Sequence, residues 1–134
     1  MTTPAPTNHA GASTLIVGGY GVVGVQIAAL LARRHPGLKL IVAGRSLEKA
    51  LGCAGAFPSA NGMRVDVAED DPLANASGDI GMVVAAANDP GNTLMRAAIR
   101  RGIPYLDITR WTARLMPAVV EATALAPRAP VVFA

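Results

Sequence analysis

The residues best placed to hold a ligand lie in Leu15-Ile16-Val17-Gly18-Gly19-Tyr20-Gly21-Val22-Val23-Gly24. This stretch contains G-x-G-x-x-G as Gly19, Gly21 and Gly24, with Gly18 as an additional glycine. It follows an apolar run and opens a helical pattern, and in that setting the spacing has a mechanism. Gly19 is expected to permit the tight turn. Gly21, having no Cβ, lets the backbone approach a pyrophosphate, and Gly24 lets the helix pack close to the strand. Tyr20, Val22 and Val23 complete the turn. The unpaired N–H groups and positive dipole end of the helix would then bind the phosphates. The plain alternative is a glycine-rich turn that binds nothing.

A second candidate stands about 20 residues on, where a domain that binds NAD carries Asp or Glu for the ribose 2′-hydroxyl. Here that place reads Ala43-Gly44-Arg45-Ser46, with no acid until Glu48. A carboxylate would repel a 2′-phosphate, whereas Arg45 can fork onto one and Ser46 can add a hydroxyl or amide donor. The pattern favours NADP(H) over NAD(H), unless Arg45 is only a solvated loop arginine.

Further along, Asp66 can accept from an adenine amino group or cap the next turn. Ala86 and its small neighbours leave room for a ribose and nicotinamide. Asn88 can fix a ribose or cap the helix expected from Asp89. Asp107 can orient a substrate or a water, or satisfy local backbone amides. Cys53 has no basic neighbour in sequence and reads as structural.

The elements that must position these residues alternate from Ser13 onward. Strands are expected at 14–17, 38–43, 63–67, 80–85, 104–108 and from Pro130. Helices are expected at 21–34, from Ser46 to about Gly52, from Asp89 to Ile99 and from Trp111 to Ala124, with a short helical turn at Asp70-Asp71-Pro72. Strict alternation means right-handed βαβ crossovers. The expected fold class is therefore α/β, a three-layer αβα Rossmann fold. Its six-stranded, parallel, doubly wound sheet should run in the order 3-2-1-4-5-6.

Composition narrows the remaining classes. The chain has 134 residues, a length suited to one domain. With 51% hydrophobic and 16% charged residues it is not a disordered chain. One cysteine excludes an internal disulfide and a cysteine zinc site. The net charge is +3, but the paired arginines, Arg33-Arg34 and Arg100-Arg101, fall at helix ends, where cations complement the dipole. Few aromatics are available for base stacking, so nucleic acid is not an expected partner. No apolar run approaches the length of a membrane span, and the N-terminus has no signal-peptide pattern, so a cytoplasmic location is expected. Residues 1–12, with Pro4 and Pro6, read as a flexible tail before a domain over residues 13–134.

Three elements together carry a family resemblance: Gly18-Gly19-Tyr20-Gly21-Val22-Val23-Gly24, Ala43-Gly44-Arg45-Ser46, and Gly102-Ile103-Pro104-Tyr105-Leu106-Asp107-Ile108-Thr109. Over residues 14–134 the chain resembles the saccharopine dehydrogenase-like family, specifically its N-terminal NAD(P)-binding domain. The resemblance implies an oxidoreductase whose cofactor contacts Gly19, Gly21, Gly24, Arg45, Ser46 and Asp66. In the family, a Gly- and Pro-containing segment after strand six leads into a substrate and dimerisation domain. Here the sequence stops at Ala134, so the expectation is a cofactor domain that lacks its substrate domain. Asn88-Asp89-Pro90-Gly91 departs from the family's Gly-Pro-Phe-like turn at the nicotinamide end of the pattern. The expected partners are the dinucleotide and a second copy of the chain. A nucleotide-sensing module without catalysis and a scaffold that binds no nucleotide are the competing readings.

Overall fold

A computed structural model describes residues 11–76 and 78–134. The tail expected over residues 1–12 falls almost wholly outside them. The elements run β1 (Ser13–Val17), α1 (Val22–Arg34), β2 (Lys39–Gly44), α2 (Leu47–Ala54), β3 (Ala60–Arg64), β4 (Ile80–Ala85), α3 (Thr93–Arg100), β5 (Tyr105–Asp107), α4 (Thr112–Ala124) and β6 (Val131–Phe133). The six strands form one parallel sheet in the order β3-β2-β1-β4-β5-β6.

Successive residues of β1 point to opposite faces, as a pleated strand requires. Leu15 and Val17 join a core with Val83, Ala85 and Tyr105 under the buried faces of α3 and α4. Ile16 faces the other way and packs with Leu40, Val84 and Ala28 of α1. Val42 meets Ala50 and Ala54 of α2 on that same side. The sheet is thus covered on both faces, which explains why its central strands read as unbroken apolar runs. This is a three-layer Rossmann fold.

The largest departures from expectation are at β3 and at the start of α3. The third strand lies at Ala60–Arg64 rather than 63–67. It pairs with β2 from Leu40↔Ala60 to Gly44↔Arg64 and stops where β2 stops. Val65 adds one backbone bond to Gly44 O and then turns inward, where it is buried in the core. Gly62 belongs to the strand because α2 lies against it: a Cβ there would come within 2.8 Å of Leu51 N. After β3, Pro72 sits in the expected short turn, with Ala74 N bonded to Asp71 O, and among the described residues no α-helix forms before β4. Finally, α3 starts at Thr93, not Asp89.

The later start of α3 has a local cause. Asn92, at the N-cap position, is left-handed with φ 56° and makes no side-chain cap. Asp89 performs that role from three residues upstream, its carboxylate accepting from Leu94 N and Met95 N at 3.1 Å each. A buried carboxylate facing free amides at the positive end of a helix is stabilised by both. The arginine pairs lie at helix ends as expected: Arg33 and Arg34 in the last turn of α1, Arg100 in that of α3 and Arg101 at its C-cap. Among the described residues no helix is long and apolar enough to cross a membrane.

Candidate functional site

The carboxyl ends of β1, β2 and β4, with the segment just beyond β3, surround a cleft of about 490 Å³. It opens at the switch point, where β1 lies between β2 and β4 and the connections depart in opposite directions, the usual ligand position in such sheets. Of the residues singled out from sequence, Gly18, Tyr20, Gly21, Gly44, Arg45, Asp66, Ala86 and Asn88 line this cleft. Gly19, Val22, Val23, Gly24 and Ser46 do not line it.

The glycine turn divides its work differently from the expected pattern. Gly18, not Gly19, carries the left-handed conformation, with φ +85°. A Cβ on Gly18 would also lie 2.8 Å from Ala87 N, so glycine here lets the chain leaving β4 close over the turn. Gly19 is needed for close approach instead: a Cβ would fall 2.8 Å from Ile16 O and 2.9 Å from Val42 Cγ1. The Ala43 carbonyl accepts from both Gly18 N and Gly19 N, tying the turn to the end of β2. Gly24 is enclosed by the turn itself, since a Cβ would sit 2.0 Å from Gly18 O. Gly21 is exposed at the N-cap of α1.

That helix start suits an anion. The first backbone N–H groups of a helix have no intrahelical acceptor. In α1 no side chain among the described residues caps them, and the first turn holds no acidic residue. Val22 and Val23 stand exposed there, at 82% and 53%. A protein that needed only the helix would gain roughly a few tenths of a kcal/mol from a Ser or Asp N-cap in place of glycine. Gly21 forgoes it and keeps the amides accessible.

At the second turn, Ser46 caps α2, its Oγ accepting from Lys49 N at 3.2 Å. Arg45 is exposed and takes part in no ion pair among the described residues. Asp66 lies two residues beyond β3. Its Oδ1 accepts from Ala68 N at 2.9 Å and its Oδ2 lies 3.5 Å from Arg64 Nη2. The turn-capping role is therefore realised, while the residue still faces the cleft. Asn88 does not cap α3, because Asp89 does.

Two groups with chemical potential are engaged within the fold. Burial pushes the Cys53 thiol above its ordinary value, which suppresses thiolate, and its Sγ lies 3.8 Å from Gly19 O. Asp107 is fully buried and accepts from Thr109 N, Thr109 Oγ1, Tyr105 Oη and Arg110 Nε at 2.6–2.8 Å. Burial raises its pKa, but these hydrogen bonds outweigh burial and hold the carboxyl below its usual range. Sequence reading missed the other side of this network. Arg110 also lies 3.7 Å from Asp89, which links β5 to the start of α3. Val65, Val67, Ala68 and Pro90 were missed as cleft walls. The apolar residues flanking Asp66 were the available signal.

Over residues 14–132 the chain matches the family described as the saccharopine dehydrogenase NADP binding domain. The chain belongs to that family. It is an NAD(P)-binding Rossmann domain of the saccharopine dehydrogenase type.

Among solved structures, it is similar to an apo saccharopine dehydrogenase (L-Glu forming) from Saccharomyces cerevisiae, with 23% identity and TM-score 0.65, over 83% of this chain and 25% of that one. A dTDP-glucose 4,6-dehydratase from Bacillus anthracis, in complex with NAD, aligns at 14% identity and TM-score 0.70, over 91% and 53%. A short-chain dehydrogenase/reductase from Vibrio parahaemolyticus aligns at 14% and 0.67, over 90% and 76%. At such identities the likeness is one of fold. The chain spans about a quarter of the yeast enzyme's length and about half of the dehydratase's. No curated protein matches it.

Proposed function

We propose that this domain binds NADP(H) in preference to NAD(H), and serves an oxidoreductase whose substrate is held by a further domain. The bound cofactor would supply the hydride chemistry, and this chain's residues supply binding and orientation. The observation that carries the reading is Arg45: an exposed guanidinium with no ion-pair partner among the described residues, at the end of β2, on the rim of the cleft that the uncapped start of α1 serves. Ser46 stands beside it.

In this reading the amides of Val22, Val23 and Gly24 face the diphosphate. Gly19 and Gly24 shape the turn from behind, and Asp66 faces the adenine. Ala86 and Asn88 border the ribose and nicotinamide. The small side chains of Ala86 and Ala87 support that part, because they leave the cleft open beside Gly18. A homodimer and a cytoplasmic setting belong to the same proposal. Exposed Trp111, Met116, Val120 and Val132 on α4 and β6 or next to them support the former.

The test is a paired titration with NADPH and NADH. A hydrogen bond to a charged group contributes about 1.5–3 kcal/mol. Arg45→Ala should therefore weaken NADPH by about ten- to a hundredfold and leave NADH nearly unchanged. Equal losses for the two would overturn the assignment of Arg45 to a 2′-phosphate.

A further inference from the structure

The Tyr20 side chain bridges the two turns that frame the cleft. Its ring lies directly on Gly44, where an added Cβ would fall 2.4 Å from Tyr20 Cε1 and 2.5 Å from Cζ and Oη. Only glycine at the end of β2 leaves space for that ring. On its inner side the ring packs with the cluster of Val42, Ala50 and Ala54, so it is held in place. It remains part of the cleft wall beside Arg45.

The hydroxyl is half used. Tyr20 Oη accepts from Ser46 N at 3.1 Å. A phenol has one proton to donate as well as lone pairs to accept with. Among the described residues the Tyr20 hydroxyl donates to no acceptor. The amide that a ligand would otherwise meet at the start of α2 is thus already taken, and the hydroxyl that takes it belongs to a residue of the cleft wall. A hydroxyl that accepts from an N–H becomes a better donor.

We infer that Tyr20 is a specificity-determining residue, donating its phenolic proton to the 2′-substituent of the adenosine ribose alongside Arg45. This rests on the proposed NADP(H) reading of the cleft. The preference follows from charge: a hydrogen bond to an anionic phosphate oxygen is roughly twice as strong as one to a neutral hydroxyl. Tyr20 therefore favours the phosphorylated cofactor without carrying a charge of its own.

The experiment uses the whole chain and four probes, NADPH, NADH, 2′,5′-ADP and 5′-ADP, with dissociation constants from calorimetry. Tyr20→Phe keeps the ring on Gly44 and removes only the hydroxyl. It should weaken NADPH and 2′,5′-ADP by about tenfold and change NADH and 5′-ADP by less than about twofold. Gly44→Ala displaces the ring while keeping the hydroxyl, and should reduce the same preference. Should that variant fail to fold, Tyr20→Phe decides alone. A uniform loss across the four probes, or no loss, would show that the hydroxyl merely holds the α2 turn, and overturns the inference while leaving the NADP(H) reading intact. If the unaltered chain binds none of the four, both readings fall together.

Discussion

Arg110 donates from Nε to Asp107 Oδ2 across 2.8 Å, with the two side chains 2% and 0% exposed. Buried pairs of this kind add little relative to apolar replacements of the same shape, but removal of one partner strands the other. Asp107 also takes Tyr105 Oη and both donors of Thr109. Asp107→Ala should cost about 3–5 kcal/mol of stability, read from the shift of a urea midpoint. A loss under about 1 kcal/mol would mean that Asp89, at 3.7 Å, already compensates Arg110.

The same carboxylate gives the fold an acid limit. Its folded pKa lies below the ordinary 3.8, as its hydrogen bonds prevail over burial. A depressed carboxyl contributes stability that is fully present above the unfolded value and is lost as pH falls through the folded one. The urea midpoint should therefore fall between about pH 4 and lower values, and Asp107→Asn should flatten that fall. An identical slope in the variant would place the acid sensitivity elsewhere, for example at Asp71, whose pKa is lowered by its hydrogen bond from Arg101.

The behaviour of these elements shows where sequence was sufficient. β1 and β4 announce themselves as apolar runs, because both their faces are covered. Ser46 announces α2, because its cap is local. β3 does not, since Ala60-Asn61-Gly62 has weak strand propensity and Gly62 is required by contact with Leu51, a tertiary demand. The start of α3 was hidden for a similar reason: Asp89 acts across a four-residue turn instead of at the N-cap. At the site, the spacing of the glycines exposed the turn, but their individual duties depended on which backbone atoms came close. Arg110 carried no periodic signal, and its role exists only once α3 and β5 are adjacent.

Gly24 and Gly37 make a controlled pair. Both are glycines near the ends of α1. At Gly37 an added Cβ meets nothing within 4 Å, and at Gly24 it meets Gly18 O at 2.0 Å. Within a helix, alanine is favoured over glycine by about 1 kcal/mol, so propensity alone would make Gly24→Ala stabilising. Overpacking opposes this by about 1–3 kcal/mol, and here the obstructing atom is backbone, which cannot rotate away. The turn must open, and the amides of Val22 and Val23 move with it. Gly24→Ala should therefore lower stability and weaken NADPH and NADH alike, because the diphosphate is common to both. Gly37→Ala should change stability by no more than about 0.5 kcal/mol and leave binding intact. The joint loss of both cofactors in the first variant separates the diphosphate cradle from Arg45, whose removal should affect only one. Undiminished binding in a folded Gly24→Ala protein would mean that the turn does not hold the diphosphate.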